Sequence, residues 1–309
     1  MNLLVTGAWN CTPEQLQCIE NLGNKIFFLQ NEKDELPLAY EDVEGVICNG
    51  LFLHHPIEKF RSLRYIQLTS AGFDRVPMDY VDDHHIKICN AMGVYSIPMA
   101  EFAVFGVLQL YKQGRFFSDH QRCRKWEKHR GLIELFGKTV CIVGCGSVGT
   151  ECAMRFSALG CSVIGVDLFP REDAHYKTIY ALDNLRGALE KSDVVVLTLP
   201  LTDETRHLID KDVFEKMNNG SILVNIARGA IVDTDALINA LKTKLFGAVL
   251  DVFEEEPLAN DSPLWDMENV MITPHNSFVG DGNADRLSNL IFKNLESVKN
   301  ENTCYFAKK

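Results

Sequence analysis

The chain has 309 residues, of which 46% are hydrophobic and 24% are charged, and its formal net charge at pH 7 is -11. The length favours two domains, with one large domain as the alternative, and the composition is that of a globular protein without a long disordered tail. Because nucleic acids and anionic membrane surfaces are recognised through clustered Lys and Arg, the acidic balance predicts neither as a partner.

The N-terminal part of the sequence alternates short β-branched runs with helical stretches. Thr12-Pro13-Glu14-Gln15 combines a Thr cap, Pro at the first helical position and Gln at the third, which predicts a helix after the first strand. Such alternation is typical of a parallel sheet with helices on both faces. The strands predicted here are Leu3–Thr6, Lys25–Leu29, Gly45–Cys48, Tyr65–Leu68 and Ile86–Cys89.

A second alternating region follows a long apolar helix, which is predicted from Pro98 to Gln113. The apolar run of this helix is about half of the roughly 20 residues that a membrane-spanning helix needs, so we expect it to be buried in protein. The stretch Ser118–Arg130 is dense in Lys, Arg and His and is predicted to be a solvated connecting segment. An amphipathic tail helix is predicted from Asn283 to Glu301. The strands predicted between them are Thr139–Val143, Ser162–Val166, Val194–Thr198, Ser221–Val224, Gly247–Leu250 and Val270–Ile272.

The first strand of the second region runs into a glycine-rich turn, and a helix from Thr150 to Leu159 is predicted directly after it. In such a strand, turn and helix, Gly144 allows the tight turn, Gly146 lets a pyrophosphate approach the backbone, and Gly149 permits close packing of helix on strand. The N-terminus of the helix faces the phosphate charge. The predicted dinucleotide-binding residues of this turn are Gly144, Gly146, Ser147, Val148 and Gly149.

An acidic residue stands at the end of the next strand. Asp167 follows the glycine turn at close to the roughly 20-residue spacing of the acid that binds the adenosine ribose. A carboxylate there repels a 2′-phosphate, so NAD is predicted as the cofactor in preference to NADP. Arg171 lies nearby and leaves NADP open, because a flexible Arg can accommodate that phosphate.

Four further blocks of sequence carry a resemblance to a known family. They are Asp193-Val194-Val195-Val196 with Leu199-Pro200-Leu201-Thr202, then Asn225-Ile226-Ala227-Arg228-Gly229, then Asp251-Val252-Phe253-Glu254-Glu255-Glu256-Pro257, and finally Thr273-Pro274-His275. With these blocks in this order, the chain resembles the D-isomer-specific 2-hydroxyacid dehydrogenase family over nearly its whole length.

The resemblance implies an α/β fold with two doubly wound parallel-sheet domains. A Rossmann dinucleotide domain, residues 95–277, would be inserted into a flavodoxin-like substrate domain made of residues 1–94 and 278–309. The family commonly forms homodimers through the dinucleotide domain, and residues 115–135 are the predicted contact segment. We also expect a cytoplasmic protein, because the first residues lack the basic start and long apolar stretch of a signal peptide. No metal site is predicted, because the ten cysteines show no paired C-x-x-C spacing.

Three side chains match the chemistry of 2-oxo acid reduction. A cation must hold the substrate carboxylate and polarise the ketone, and the bidentate guanidinium of Arg228 suits this task. A proton donor must serve the ketone oxygen as hydride arrives, and His275 suits that role. A carboxylate beside the imidazole orients the ring and favours its charged form. The resemblance assigns this carboxylate to Glu256, whereas Glu254 and Glu255 are adjacent alternatives.

The resemblance also implies roles for residues around these three. Asp251 would contact the nicotinamide amide, and the cofactor cleft would be lined by Leu199, Pro200, Ile226 and Ala227, with Arg228 and His275 also against the cofactor. The loop Ser70-Ala71-Gly72 would receive the substrate carboxylate on its backbone N–H groups, although a tight turn that simply needs Gly72 is the alternative. Asn49–Leu53 is predicted to form an apolar wall of the substrate pocket, and Tyr95 is either part of that pocket or packing.

These assignments predict an NAD-dependent oxidoreductase that moves a hydride between the cofactor and a small D-2-hydroxy acid or 2-oxo acid such as glyoxylate, hydroxypyruvate or pyruvate. A phosphoglycerate dehydrogenase is the alternative by substrate. An NAD(H)-sensing scaffold or corepressor-like protein is the alternative of another class, and the complete set of Arg228, Glu256 and His275 argues against it. Formate dehydrogenases of the same fold pair the His with Gln, so Glu256 argues against that activity.

Overall fold

The computed structural model describes residues 1–299, and the chain divides into two compact units. Among the described residues, one unit consists of Met1–Tyr95 together with residues 280–299, and the other is Ser96–Val279. Each unit is built on one sheet in which every strand pair is parallel. The predicted fold class, an α/β protein with two parallel sheets, is confirmed.

The first unit has a five-stranded sheet in the order β2-β1-β3-β4-β5. Its first helix begins as predicted, because the Thr12 hydroxyl accepts from the N–H of Gln15 while the Gln15 side chain accepts from the N–H of Thr12. The strands are mostly buried on both faces, as parallel strands covered by helices must be. The elements are β1 Asn2–Thr6, α1 Pro13–Asn21, β2 Lys25–Leu29, β3 Gly45–Cys48, β4 Tyr65–Leu68, α2 Met78–Asp83 and β5 Lys87–Cys89.

The second unit has a seven-stranded sheet in the order β12-β11-β10-β9-β6-β7-β8. Its first strand, β6, lies inside the sheet, and β7 and β8 extend the sheet on one side of it. The chain then crosses back, and β9 to β12 extend the sheet on the other side. The point of return lies between β6 and β9, and this is where doubly wound sheets bind ligands. The elements are α3 Ser96–Tyr111, α4 Gly114–Arg122, β6 Thr139–Val143, α5 Ser147–Ala158, β7 Ser162–Asp167, β8 Thr178–Ala181, α6 Leu185–Leu189, β9 Val194–Leu197, α7 Lys211–Lys216, β10 Ile222–Asn225, α8 Thr234–Thr243, β11 Gly247–Leu250 and β12 Val270–Ile272.

The tail helix, α9, spans Asn283–Lys299 and belongs to the first unit. The side chains predicted to form its apolar face are buried, namely those of Leu287, Leu290, Ile291 and Leu295. The predicted end of this helix, Glu301, lies outside the described residues. The apolar helix α3 is largely buried, and no helix within residues 1–299 is both long and apolar enough to cross a membrane.

Two predictions about the second unit were wrong. The stretch Ser118–Arg130 is not entirely a connecting segment, because α4 ends only at Arg122. This helix is strongly amphipathic, but its charged residues were interpreted as part of a solvated connecting segment. The edge strand β8 was missed, since its four residues are short and only Ile179 among them is buried.

Candidate active site

The predicted catalytic and cofactor residues follow strands whose carboxyl ends lie side by side. Leu250, the last residue of β11, pairs with Asn225 at the end of β10 and with Ile272 at the end of β12. Across the rest of the sheet, Leu197 pairs with Asn225 and with Val143, which in turn pairs with Val166. Loops that are far apart in the chain therefore begin side by side at the carboxyl ends of the strands.

The glycine turn after β6 has the geometry that a pyrophosphate needs. Gly144 has φ of +96°, and a Cβ there would lie 2.6 Å from the backbone nitrogen of Leu199. A Cβ on Gly149 would lie 2.2 Å from the carbonyl oxygen of Gly144, so helix α5 packs directly on the turn. By contrast, a Cβ on Gly146 would meet nothing within 4 Å in the protein, which leaves room for a ligand.

Unpaired backbone donors surround that space. Among residues 1–299, none accepts a hydrogen bond from the N–H groups of Gly146, Ser147, Val148 and Gly149 at the start of α5. Such N–H groups, together with the helix dipole, attract phosphate oxygens. Cys145 in the turn is buried, and burial raises the pKa of its thiol to about 11. The thiol therefore stays neutral and does not repel an anion. These features fit a dinucleotide.

Asp167 ends β7 and lies against the glycine turn. Its Oδ2 accepts from the N–H of Cys145 at 2.7 Å, and its Oδ1 accepts from the N–H of Phe169 at 2.9 Å. The guanidinium of Arg171 donates to the carbonyl oxygen of Cys145 and lies 3.8 Å from Asp173. The structure thus brings Asp167 and Arg171 to the same turn, with the carboxylate anchored to the backbone.

Arg228 lies in the turn that follows β10, at the carboxyl ends of the strands. The buried side chain of Asn225 accepts from the N–H of Ala227 at 3.1 Å and donates to the carbonyl oxygen of Arg228 at 3.0 Å, which shapes the turn. A Cβ on Gly229 would lie 1.8 Å from the carbonyl carbon of Phe253, so the turn packs directly on the loop after β11. The Asn and Gly that flank the Arg in its sequence block therefore have structural roles that the motif alone did not explain.

Glu256 and His275 form a hydrogen-bonded pair. The Nδ1 atom of His275 lies 2.8 Å from Oε2 of Glu256, and Oε1 of Glu256 accepts from the N–H of Phe253 at 3.0 Å. About 44% of the His275 side chain and 37% of the Glu256 side chain are exposed, so an incoming molecule can reach both. No residue within 1–299 forms a hydrogen bond with Nε2 of the imidazole, and such a pair can donate and accept a proton at that atom.

The two neighbouring glutamates have different surroundings. Glu254 accepts hydrogen bonds from the backbone N–H and hydroxyl of Thr234 and lies 2.8 Å from Nε2 of His207. Burial opposes its ionisation, but these hydrogen bonds together lower the pKa of Glu254. Glu254 thus ties the loop after β11 to the start of α8, and Glu255 is exposed. Of the three glutamates, the structure brings only Glu256 to His275.

Asp251 was predicted from the resemblance to contact the nicotinamide amide. Its side chain is fully buried in the protein alone, and its carboxylate accepts from the Thr273 hydroxyl and from the N–H groups of Asn276 and Ser277. These contacts were not predicted from the sequence. The signal in the sequence is an Asp directly after an apolar strand, because a carboxylate buried there must have its oxygen atoms hydrogen-bonded.

The residues predicted to line the cofactor cleft follow β9 and β10. Leu199 packs against Gly144, and Thr198 donates to the carbonyl oxygen of Gly144 at 2.6 Å. Ile226 and Ala227 are buried, whereas Pro200 is exposed. The structure places them on loops that leave the same edge of the sheet, and their contact with a cofactor stays a prediction.

The loop predicted to receive the substrate carboxylate belongs to the first unit and follows β4. Its carbonyl groups are held inside that unit, because Asn90 donates to Ala71 at 2.7 Å, the N–H of Ala91 donates to Ser70 at 2.8 Å, and the Tyr95 hydroxyl donates to Thr69. No acceptor within residues 1–299 pairs with the N–H groups of Ser70, Ala71 and Gly72. Three successive unpaired N–H groups are suited to an anion. Tyr95 supports this loop, and its burial raises the pKa of the phenol.

The chain is similar to known proteins over most of its length. The family model described as "D-isomer specific 2-hydroxyacid dehydrogenase, NAD binding domain" matches residues 104–277. The (S)-sulfolactate dehydrogenase of Chromohalobacter salexigens is 34% identical over 242 residues, which cover 77% of this chain and 78% of that protein. The glyoxylate reductase of Thermofilum pendens is 34% identical over 277 residues, 86% of this chain and 81% of that protein.

The fold is similar to solved structures over nearly the full length. A D-lactate dehydrogenase from Aquifex aeolicus, crystallised with NAD and lactic acid, superposes with a TM-score of 0.77. It is 27% identical in sequence, and the match covers 97% of this chain and 96% of the other. The unit that carries the glycine turn is the one that the family model matches.

Proposed function

Because the chain belongs to the D-isomer-specific 2-hydroxyacid dehydrogenase family, we propose that it reduces a small 2-oxo acid of the glyoxylate, hydroxypyruvate or pyruvate type with NADH. The observation that carries this proposal is the hydrogen bond between Glu256 and His275. Both residues lie on loops at the carboxyl ends of the strands, where the Arg228 turn and the glycine turn also lie. The family has an NAD-binding domain, and NAD is the cofactor of this chain.

The proposed mechanism assigns one task to each of these side chains. When bound, the nicotinamide supplies or accepts the hydride at the 2-carbon of the acid. Arg228 binds the carboxylate and ketone oxygens through its forked N–H groups. His275 donates a proton from Nε2 to the ketone oxygen during reduction and removes it in the reverse direction. Glu256 holds the Nδ1–H of the ring and stabilises the positive charge that the imidazole carries before the proton leaves.

The substrate assignment of the first unit is part of the same proposal. Ser70, Ala71 and Gly72 would receive the substrate carboxylate on their backbone N–H groups. The support is that these groups have no acceptor among residues 1–299, while the carbonyl groups of the loop are held by Asn90, Ala91 and Tyr95.

The cofactor contacts are proposed as follows. Gly144, Gly146, Ser147, Val148 and Gly149 would surround the pyrophosphate, and Asp167 would accept from the adenosine ribose. A carboxylate at that point favours NAD over NADP, because it repels a 2′-phosphate. Leu199, Pro200, Ile226, Ala227 and Asp251 complete the proposed cofactor site, together with Arg228 and His275.

We also propose that the protein is cytoplasmic and that it forms a homodimer. The support for the dimer is apolar surface on the second unit. Phe105 is 50% exposed and Leu159 is 43% exposed, and both line a cavity of about 720 Å³ on the faces of α3 and α5. Trp126, in the predicted contact segment, is 98% exposed. Light scattering should give twice the chain mass, and Phe105→Glu should shift it toward the monomer; a wild-type monomer at micromolar concentration would refute the dimer.

The enzymatic proposal is tested by following NADH absorbance with glyoxylate, hydroxypyruvate, pyruvate and phosphohydroxypyruvate. Oxidation of NADH with one of the first three, lost in His275→Gln, supports the proposal. A preference for the phosphorylated acid would identify the phosphoglycerate dehydrogenase alternative. Tight NADH binding with no turnover of any acid would favour an NAD(H) sensor.

A further inference from the structure

The loop that carries His275 is held by one carboxylate. Asp251 Oδ1 accepts from the Thr273 hydroxyl and from the N–H of Asn276, each at 2.7 Å, and Oδ2 accepts from the N–H of Ser277 at 2.9 Å. The backbone carbonyl of Asp251 accepts from the N–H of His275 at 2.8 Å. These contacts reach both sides of the histidine along the chain, so Asp251 determines the path of the whole loop.

His275 itself adopts a backbone conformation that needs such support. Its φ is +51°, in the left-handed region that residues other than glycine rarely adopt. A strained conformation of this kind persists only where the surrounding structure determines it. The N–H of His275 is held as well, since it is shared between the carbonyl oxygens of Asp251 and Thr273.

The Asp251 carboxylate is committed to this loop. Its side chain is fully buried, and three of the roughly four lone-pair positions of a carboxylate are used by Thr273, Asn276 and Ser277. A buried carboxylate whose hydrogen bonds all go to one loop acts primarily on the geometry of that loop.

We propose that Asp251 is the positioning residue of the catalytic histidine, which holds His275 in its left-handed conformation so that Nδ1 meets Glu256. This inference rests on the proposed function and adds a positioning role for Asp251 to its proposed contact with the nicotinamide amide. The role is exerted through backbone N–H groups and the Thr273 hydroxyl, and Asp251 takes no part in the proton transfer itself.

The test compares Asp251→Asn with the milder Thr273→Val, which removes one donor and keeps the carboxylate. The side-chain amide introduced by Asp251→Asn would turn a donor toward a loop N–H, so we expect kcat to fall by about 100-fold in that variant and about tenfold in Thr273→Val. In Thr273→Val, which keeps the carboxylate, the dissociation constant of NADH should change less than about twofold. Thr243→Val, at the end of α8 and outside the site, is the matched control and should leave all constants unchanged.

A second readout does not depend on turnover. With ¹⁵N-labelled histidine, the ring signals of His275, identified by their loss in His275→Gln, should report a fixed Nδ1–H in the wild type and a mixture of tautomers in Asp251→Asn and Thr273→Val. Unchanged His275 signals together with weaker NADH binding would overturn the inference and assign Asp251 to the nicotinamide. If Asp251→Asn does not fold, Thr273→Val decides in the same way. A wild type that turns over no 2-oxo acid would refute the proposed function, while the ring signals would still test the positioning role.

Discussion

Glu256 and His275 are joined by a 2.8 Å hydrogen bond although 19 residues separate them in the chain. The second oxygen of Glu256 binds the backbone N–H of Phe253, so the carboxylate is tied both to its own loop and to the ring. The imidazole thus has its Nδ1 occupied, and no residue within 1–299 pairs with its Nε2. One nitrogen is held in place while the other is available to a substrate oxygen.

Replacement of either member of this pair should reduce the rate of turnover. His275→Gln removes the proton donor, and we expect kcat to fall by about 10²- to 10⁴-fold. Glu256→Gln keeps the shape but removes the charge, and kcat should fall by at least about tenfold. Steady-state kinetics with the best 2-oxo acid measures both effects.

Glu255→Gln is the matched control for that comparison, because Glu255 is the exposed neighbour of Glu256. It should leave kcat unchanged, and fluorescence titration should show unchanged NADH affinity in all three variants. A near-normal kcat in His275→Gln would mean that another group supplies the proton.

Two glycines of the phosphate turn should respond differently to the same added methyl group. Gly146→Ala should fold normally, because its Cβ meets nothing within 4 Å and its φ of -72° suits alanine. The methyl group would occupy the space of the pyrophosphate, so the dissociation constant of NADH should rise by at least about tenfold.

Gly149→Ala, in contrast, should destabilise the second unit even without cofactor, because its Cβ would lie 2.2 Å from the Gly144 carbonyl oxygen. Thermal unfolding of the cofactor-free proteins separates the two effects. Unchanged NADH affinity in Gly146→Ala would show that the cofactor does not approach this backbone.

Asp167→Ala should change the choice of cofactor. Loss of a hydrogen bond from the ribose to a charged acceptor weakens NAD binding by about 10- to 100-fold, whereas NADP loses a repulsion at the same point. Because Asp167 also binds the N–H groups of Cys145 and Phe169, damage to the turn affects both cofactors alike. The ratio of the two dissociation constants therefore isolates the ribose contact, and an unchanged ratio would contradict the assignment.

Glu254 should contribute stability that depends on pH. Its folded-state pKa is below the ordinary value of 4.5, because hydrogen bonds from Thr234 and His207 together exceed the opposing effect of burial. A carboxyl group whose pKa is lowered by folding stabilises the protein above its ordinary pKa, and this contribution is lost as the pH falls through the folded-state value. Glu254→Gln should therefore lower Tm by about 2–4 °C at pH 7, and the difference should shrink below about pH 4.5.

Thermal scans of the cofactor-free protein at several pH values measure this difference, with Glu255→Gln as the exposed control. A difference between wild type and Glu254→Gln that stays constant from pH 7 to pH 4 would show that Glu254 acts through packing and not through its charge.

The elements that were predicted well are those whose signal is local. The Thr12–Gln15 cap and the buried strand Thr139–Val143 are visible in consecutive residues, because capping and burial act within one turn or one strand. The strand Thr178–Ala181 was missed because only one of its four residues is buried. The helix Gly114–Arg122 was missed because its charged residues were interpreted as part of a solvated connecting segment. The family that was inferred from four blocks of sequence is confirmed.

The sequence by itself determined the alternation of strands and helices, the order of the glycine turn and the blocks that follow it, and the residue types that chemistry on a 2-oxo acid requires. Only the tertiary structure decided that Glu256, and neither Glu254 nor Glu255, lies against His275, and that Asp251 binds the loop around that histidine. The physical reason is that periodicity and capping act over a few neighbouring residues. A contact at 2.8 Å between distant segments depends instead on the register of β10, β11 and β12 and on the path of each loop that leaves them.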